Sequence, residues 1–154
     1  MNRAIVCLAV FLSALPISAA EPLVGRWVLI SQEVGGQKVA ADDLTLRIIP
    51  AGKGLEFAWS VPVNNIQFVS MRFSVPLNGT EADVTNANAQ KIGTVKVTKA
   101  GASVYRIMIG GPNRPTASGT MTVSADGKTL KSESDATPRE RSAPVHTVQV
   151  FSRQ

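Results

Sequence analysis

A single histidine limits the metal and nucleophilic chemistry that this sequence can support. His146 is the only histidine among 154 residues, and the one cysteine, Cys7, stands near the start of the chain. Zinc and non-haem iron sites normally take several His or Cys side chains, and no such set can be assembled here. A Ser-His-Asp set would need His146, but no Gly-x-Ser-x-Gly elbow occurs after a predicted strand. The sequence therefore predicts no catalytic residue, no metal site and no cofactor.

Three short polar motifs could suggest ion or phosphate binding, and each is better explained as a turn. Asp42-Asp43 is typical of a helix cap or turn, and Gly52-Lys53-Gly54 lacks the spacing and the following helix of a phosphate loop. Asn78-Gly79-Thr80 matches a glycosylation acceptor, but Asn-Gly is also the strongest short signal for a β-hairpin. We expect turns at all three motifs.

Aromatic side chains are the remaining candidates for a binding site. Phe57, Trp59, Phe68 and Tyr105 stand on predicted strands and could contact a ligand. The same side chains could instead fill a core, and an eight-stranded barrel is just wide enough for either outcome. A cavity is favoured by small or polar residues on the predicted inner faces: Ser31, Ala117, Gly119, Ser132 and Ser134.

These side chains must be positioned by β-strands, because apolar residues alternate with polar ones along most of the chain and no amphipathic helix is evident. The predicted strands are Gly25–Gln32, Leu44–Pro50, Leu55–Val61, Ile66–Val75, Thr80–Thr85, Gly93–Thr98, Ser103–Ile109, Thr116–Ser124, Thr129–Ser134 and His146–Arg153. A change of phase within Ile66–Val75 predicts a β-bulge. Gln37 to Asp43 is predicted to be a connection with at most one helical turn.

Tight turns between neighbouring strands predict an all-β fold, an antiparallel meander closed into an up-and-down β-barrel of about 8–10 strands. Closure removes the free edges that a single open sheet would expose. A two-sheet sandwich is the alternative, but sandwiches usually contain Greek-key crossovers.

The opening and closing strands resemble those of a known family. Gly25-Arg26-Trp27 is similar to the Gly-x-Trp signature of lipocalins and the wider calycin barrels, and the last strand ends in Arg153. The order of elements also resembles that of small secreted bacterial lipocalin-like proteins, and an avidin-like barrel would fit as well. The resemblance implies that Trp27 seals one end of the barrel, beside Gly25, and that Arg153 packs across the indole, a stacking worth ~1 kcal/mol.

The N-terminus has the pattern of a secretory signal peptide. A short basic region at Arg3 precedes an apolar run, Ala4 to Leu15, and small residues end at Ala20. The run is shorter than the ~20 residues that a membrane-spanning helix needs. We therefore expect residues 1–20 to be a signal peptide, residues 21–154 to form one lipocalin-like domain, and the protein to be exported, either to the periplasm or to the medium.

Charge is unevenly distributed in a chain with formal net charge +5, since most of the basic residues follow Asn86. A basic surface could meet an anionic envelope surface or an acidic protein, although these bases alternate with apolar residues and also serve solubility. Nucleic acid is not expected, because aromatic residues are not interleaved with the bases. An inward arginine would hold an anionic head group; alternation places Arg47 outward and leaves Arg72 undecided.

The leading hypothesis is an exported barrel, without catalysis, that binds a small apolar or amphipathic molecule in its mouth. The alternative is an envelope protein-interaction module, an inhibitor or scaffold. It would act through two loops, Gly110 to Pro115 and Asp135 to Pro144, which carry Arg114, Arg139 and Arg141. A third hypothesis is an enzyme of lipocalin-like fold that uses His146.

Overall fold

The structure is a computed structural model that describes residues 20–41, 43–64, 66–111, 114–138 and 143–154. The predicted signal peptide lies outside these residues except for Ala20. Eleven β-strands are described: β1 (Gly25–Val34), β2 (Gln37–Val39), β3 (Thr45–Ala51), β4 (Gly54–Val63), β5 (Ile66–Val75), β6 (Ala82–Thr85), β7 (Lys91–Lys99), β8 (Val104–Gly111), β9 (Arg114–Val123), β10 (Thr129–Ala136) and β11 (Val145–Arg153).

Ten of these strands form a closed, antiparallel, up-and-down barrel. From β3 to β11, strands that follow one another in the chain are neighbours in the sheet, and β1 joins β3 on one side and β11 on the other. The closing register pairs Trp27 with Arg153 and runs on to Val34 opposite Thr147. The predicted meander and its closure are confirmed, and the sandwich alternative is wrong.

The eleventh strand, β2, was expected to be a connection. It pairs with the end of β1 through a tight turn at Gly35 and Gly36, whose φ values of +59° and +78° lie in the left-handed region that glycine adopts without strain. All three β2 residues are exposed, so the alternation that identifies a half-buried strand is missing there.

The predicted hairpin at Asn78-Gly79 does not form as a two-residue turn. The connection from β5 to β6 runs from residue 76 to residue 81, and Asn78 forms an isolated bridge with Thr98 of β7. The Gly79 N–H donates to the Val97 carbonyl, and the Lys99 N–H donates to the Leu77 carbonyl, each at 2.9 Å. Hydrogen bonds to β7 thus replace the expected pairing across the turn.

Two bulges decide which side chains face the interior. In β5 the register slips between Trp59 and Ser60 of β4, which confirms the predicted bulge; the Ser70 hydroxyl donates to the Trp59 carbonyl. In β1 a second slip leaves Ile30 without a cross-strand partner on β11. Ser31, expected inside, is exposed, because this slip changes the phase of the strand.

The core occupies one half of the barrel. Its largest fully buried side chains are those of Trp27, Tyr105, Phe57, Phe151, Leu23, Leu46, Ile48, Leu130, Val75, Val84, Val95 and Val97. Most of them lie near the start of β1 and the end of β11, so we call this the closed end. The opposite end, which carries the β4–β5 turn and the β8–β9 and β10–β11 connections, is the open end. Within the ranges given above, no helix is long and apolar enough to cross a membrane.

Candidate functional site

The closed end is sealed by a turn of chain that precedes the first strand. The Val24 N–H donates to the Glu21 carbonyl at 2.9 Å, and Leu23 is completely buried beneath this turn. The Trp27 indole, also completely buried, donates from Nε1 to the Leu23 carbonyl at 2.9 Å. The indole thereby satisfies its polar group while its rings fill the end of the barrel.

Arg153 ties this turn to the barrel from outside. Its guanidinium carbon lies 4.3 Å from the centre of the Trp27 ring. Its three nitrogens donate to the carbonyls of Val24 at 2.8 Å, Pro22 at 2.6 Å and Gly127 at 2.6 Å. A Cβ at Gly25 would lie 3.1 Å from Nη1 of Arg153, so glycine gives the guanidinium room. The structure thus brings Gly25, Trp27 and Arg153 together.

A partly buried polar cluster lies beside this seal, and the sequence did not indicate it. The Tyr105 hydroxyl donates to the Glu21 carboxylate, which also receives Lys99 Nζ at 2.9 Å. Burial raises the pKa of the Tyr105 phenol far above its usual value, and the hydrogen bond with Glu21 raises this pKa further. Tyr105 therefore stays protonated and anchors the N-terminal turn; it does not face the cavity.

Stacked aromatic rings form the floor of the barrel interior. The ring centre of Phe57 lies 4.9 Å from that of Phe73 and 5.9 Å from that of Trp59, and the Trp59 and Phe73 centres are 5.3 Å apart, so the three rings form one cluster. Phe57 is completely buried, whereas Trp59 is only partly buried. The packed half of the barrel therefore ends near Trp59.

Beyond these rings the lumen contains a cavity of about 150 Å³. Its lining combines apolar side chains with a few polar ones: Leu46, Trp59, Met71, Ile107, Ile109, Ala117, Ser118, Gly119, Met121, Ser132, Ser134, Gln149 and Phe151. Gln149 approaches Gln32 of β1, with 3.4 Å between amide nitrogen and oxygen. The cavity thus has an apolar wall on β4, β5 and β8 and a more polar wall on β10 and β11.

Small residues make this space, as the sequence indicated for Ala117, Gly119, Ser132 and Ser134. Gly119 could not carry a side chain, since a Cβ there would lie 2.3 Å from the Glu133 carbonyl oxygen. The close approach of β9 to β10 therefore requires glycine at this position.

Of the four aromatic residues considered as ligand contacts, the structure places only Trp59 along the cavity. Phe57 and Tyr105 are completely buried in the packed half. Phe68 does not line the lumen: its side chain is 49% exposed, because the β4–β5 hairpin continues past the end of the barrel. Met71, which the sequence did not indicate, pairs with Trp59 across β4 and β5 and also lines the cavity.

Two groups of charged side chains lie on the outer surface of the barrel. Glu56 accepts Arg47 at 3.5 Å and Arg72 at 3.8 Å on the outer surface, so the undecided Arg72 faces outward with Arg47. His146 and Asp135 form an exposed pair at 2.9 Å. Among the residues that the structure describes, no group of three His, Cys, Asp or Glu side chains could hold a metal ion. Arg139 and Arg141 lie outside those residues, as does the side chain of Arg114.

A larger groove, of about 530 Å³, crosses the outside of strands β7 to β11 beside Arg106, Met108 and Asp135. These three side chains are exposed, so the groove is an open, charged surface. The lumen cavity is smaller, but it lies within the barrel and its lining is mainly apolar with a few polar groups, which is the usual setting of a small-molecule site.

No protein-family model matches the chain, and a search of the curated proteins finds no relative. The likeness to known barrels therefore depends on the fold itself. A closed, antiparallel barrel of ten strands is consistent with a calycin-like fold.

Proposed function

We propose that this protein binds a small apolar or amphipathic ligand inside the open half of its barrel. The observation that carries the proposal is the lumen cavity, which the packed aromatic core leaves unfilled next to Trp59. Barrel mouths and enclosed apolar pockets with a few polar groups are typical small-molecule sites. The proposed role needs no catalytic step.

The volume of the cavity limits the size of the ligand. About 150 Å³ is far below the ~300–1,000 Å³ of pockets that take drug-sized molecules, and in another protein an apolar cavity of about this volume binds benzene. We expect a ligand with one ring or a short alkyl chain.

The polar wall favours a ligand with one hydroxyl or carboxyl group. The hydroxyls of Ser132 and Ser134 can donate or accept a hydrogen bond, and the Gln149 amide can do both. Because the contact from Gln149 to Gln32 is long, at 3.4 Å, we expect a ligand oxygen to replace it without a large loss.

Phenol and hexan-1-ol are suitable first probes because each combines a small apolar body with one hydroxyl. Binding would raise the melting temperature, since a ligand at about a hundred times its Kd adds ~2.7 kcal/mol to the free energy of unfolding. It would also change the tryptophan fluorescence, because Trp59 borders the cavity. If neither probe changes either signal, the proposal is wrong for ligands of this size.

A cavity-filling variant tests the location of the site. Ala117→Leu places additional methyl groups in the lumen, and we expect it to abolish both responses while the barrel stays folded. Ser74→Leu is the matched control, because Ser74 is exposed on β5. Equal probe binding by wild type and the Ala117 variant would place the site elsewhere.

We also propose that the protein is exported, as the N-terminal sequence predicts. The closed end supports this, because Glu21, which would become the first residue after cleavage, is already held by Tyr105 and Lys99. Expression of the full chain in a bacterium, followed by N-terminal sequencing of the envelope fraction, should give a chain that starts at Glu21. Recovery of the uncut chain in the cytoplasm would contradict export.

A further inference from the structure

The β4–β5 hairpin extends beyond the strands on either side of it. On one side, the pairing of β4 with β3 ends at Ser60, opposite Thr45. On the other side, the pairing of β5 with β6 consists of a single pair, Arg72 with Thr85, in the part of the chain that the structure describes. Residues 61–63 and 66–70 therefore form a two-stranded ribbon, which we call the outer ribbon.

The two edges of the outer ribbon differ in chemistry. The β4 edge carries Pro62, which has no N–H and so blocks the addition of another strand. The β5 edge from Ile66 to Ser70 contains no proline, and no charged residue occurs between Glu56 and Arg72. Free strand edges are usually protected by lysine, proline or inward charges. Apart from the bulge at Ser70, where the ribbon joins the barrel, the β5 edge has none of the protections that strand edges usually carry.

One face of the outer ribbon is apolar and exposed. The register pairs Val61 with Phe68 and Val63 with Ile66, and residues that pair across two strands share a face. Ile66 is 62% exposed, Phe68 49% and Val63 47%. A two-stranded ribbon is only marginally stable in water, whereas three or more strands with an apolar face are stable.

We propose that the β5 edge, Ile66 to Ser70, pairs antiparallel with the same edge of a second copy of this chain. Identical edges fit each other about a two-fold axis, which is the commonest symmetry of protein dimers. The pairing would join two outer ribbons into a four-stranded sheet in which the two Phe68 side chains meet at the centre. This proposal does not depend on the ligand, because it uses none of the cavity residues.

The charge distribution favours a second copy over a lipid surface. Each chain carries a formal net charge of +5, and two copies can approach through this ribbon without bringing like charges together, since it contains none. A segment that docks on an anionic membrane usually carries Lys or Arg beside its apolar residues, and the outer ribbon has neither.

Sedimentation or light scattering over a concentration series tests the proposal. We expect wild type to have twice the monomer mass, and Ile66→Lys to have the monomer mass at the same concentrations, because a charge at this edge prevents pairing. Ile30→Lys is the matched control: Ile30 is 56% exposed on β1, and its variant should remain dimeric. A monomeric wild type, or equal effects of the two substitutions, would overturn the proposal.

A crosslinking variant gives an independent readout that does not depend on a destabilising change. In a Cys7→Ser background, Phe68→Cys should form a disulfide-linked dimer on mild oxidation, because residues directly opposite in antiparallel strands have Cα atoms ~4.5–5.5 Å apart. Met108→Cys, at a residue 51% exposed on β8, should form no disulfide-linked dimer under the same oxidation. Equal crosslinking of both variants would overturn the proposal. So would a wild-type chain that stays monomeric and binds anionic phospholipid vesicles only when Ile66 and Phe68 are intact, which would assign the ribbon to a lipid surface.

Discussion

The two ends of this barrel differ in how completely their side chains are buried. At the closed end, Trp27, Leu23 and Tyr105 have no exposed surface, and Arg153 alone donates hydrogen bonds to three carbonyls. At the open end, a cavity remains beside Trp59, and Ile66 and Phe68 project into solvent. The completely buried side chains are concentrated at the closed end, whereas the open end keeps a cavity and exposed apolar surface.

The largest expected difference between the two ends concerns their tryptophans. Trp27→Ala should lower the free energy of unfolding by ~3–5 kcal/mol, the usual cost of removing a fully buried large aromatic side chain. Trp59→Ala should cost clearly less, because Trp59 is partly exposed and already borders a cavity. Chemical denaturation of both variants measures the two costs. Equal costs would mean that the ends do not differ in packing.

A smaller loss of stability is expected when the Arg153 side chain is removed from the closed end. Arg153→Ala loses the stacking on Trp27 and hydrogen bonds to three carbonyls, and we expect a loss of ~2 kcal/mol. Arg153→Lys should recover only part of this, since an ammonium group lacks the planar fork of donors.

The control for Arg153 is Arg26→Ala, at an exposed residue of the same end. It should change stability by less than ~0.5 kcal/mol, as surface substitutions generally do. A comparable loss in both variants would show that positive charge, and not the stacking and hydrogen bonds of Arg153, stabilises this end.

The smallest effect, seen only in alkali, concerns the buried phenol. The pKa of Tyr105 is raised in the folded protein, so its contribution to stability is complete below the unfolded pKa of about 10 and is lost as the pH rises above that value. Because Tyr105 is the only tyrosine, the absorbance of its phenolate reports this one group. We expect phenolate to appear together with unfolding.

The matched variant for this titration is Tyr105→Phe, which should show a weaker loss of stability between pH 10 and the unfolding pH of wild type. In wild type the phenol donates to Glu21, which pairs with Lys99, and both charged residues are still present in the variant. Phenolate that forms near pH 10 in the folded barrel would show that the closed end admits water.

Alternation and turn residues were enough to predict the ten barrel strands and their closure, because burial on one face leaves a period of two in the sequence. The same logic predicted the β5 bulge and the small residues that line the cavity, among them Ala117 and Ser134. It failed where the period carries no information. The β2 strand is exposed on both faces, so its sequence does not alternate. The bulge at Ile30 changes the phase of β1, so that Gln32, and not Ser31, lies beside Gln149.

Long-range contacts were also beyond the sequence. Nothing near Glu21 indicates that it meets Tyr105, 84 positions away, and Asn78-Gly79 has the signature of a hairpin although β7 takes its hydrogen bonds. The position of Phe68 depends on where the neighbouring strands stop, and the length of β3 and β6 is not encoded in β5 itself.

The pairing of β1 with β11 brings the last residue of the sequence close to the start of the barrel, which favours circular permutation and tethering to a surface. Gln154 donates its N–H to the Arg26 carbonyl at 2.9 Å, and the Arg153 side chain reaches the Pro22 carbonyl. A short linker from Gln154 to Pro22 could therefore give a circular permutant whose new ends lie at Asn64, in the β4–β5 turn. A tether at Gln154 would likewise hold the barrel on a sensor surface with its mouth turned towards the solution.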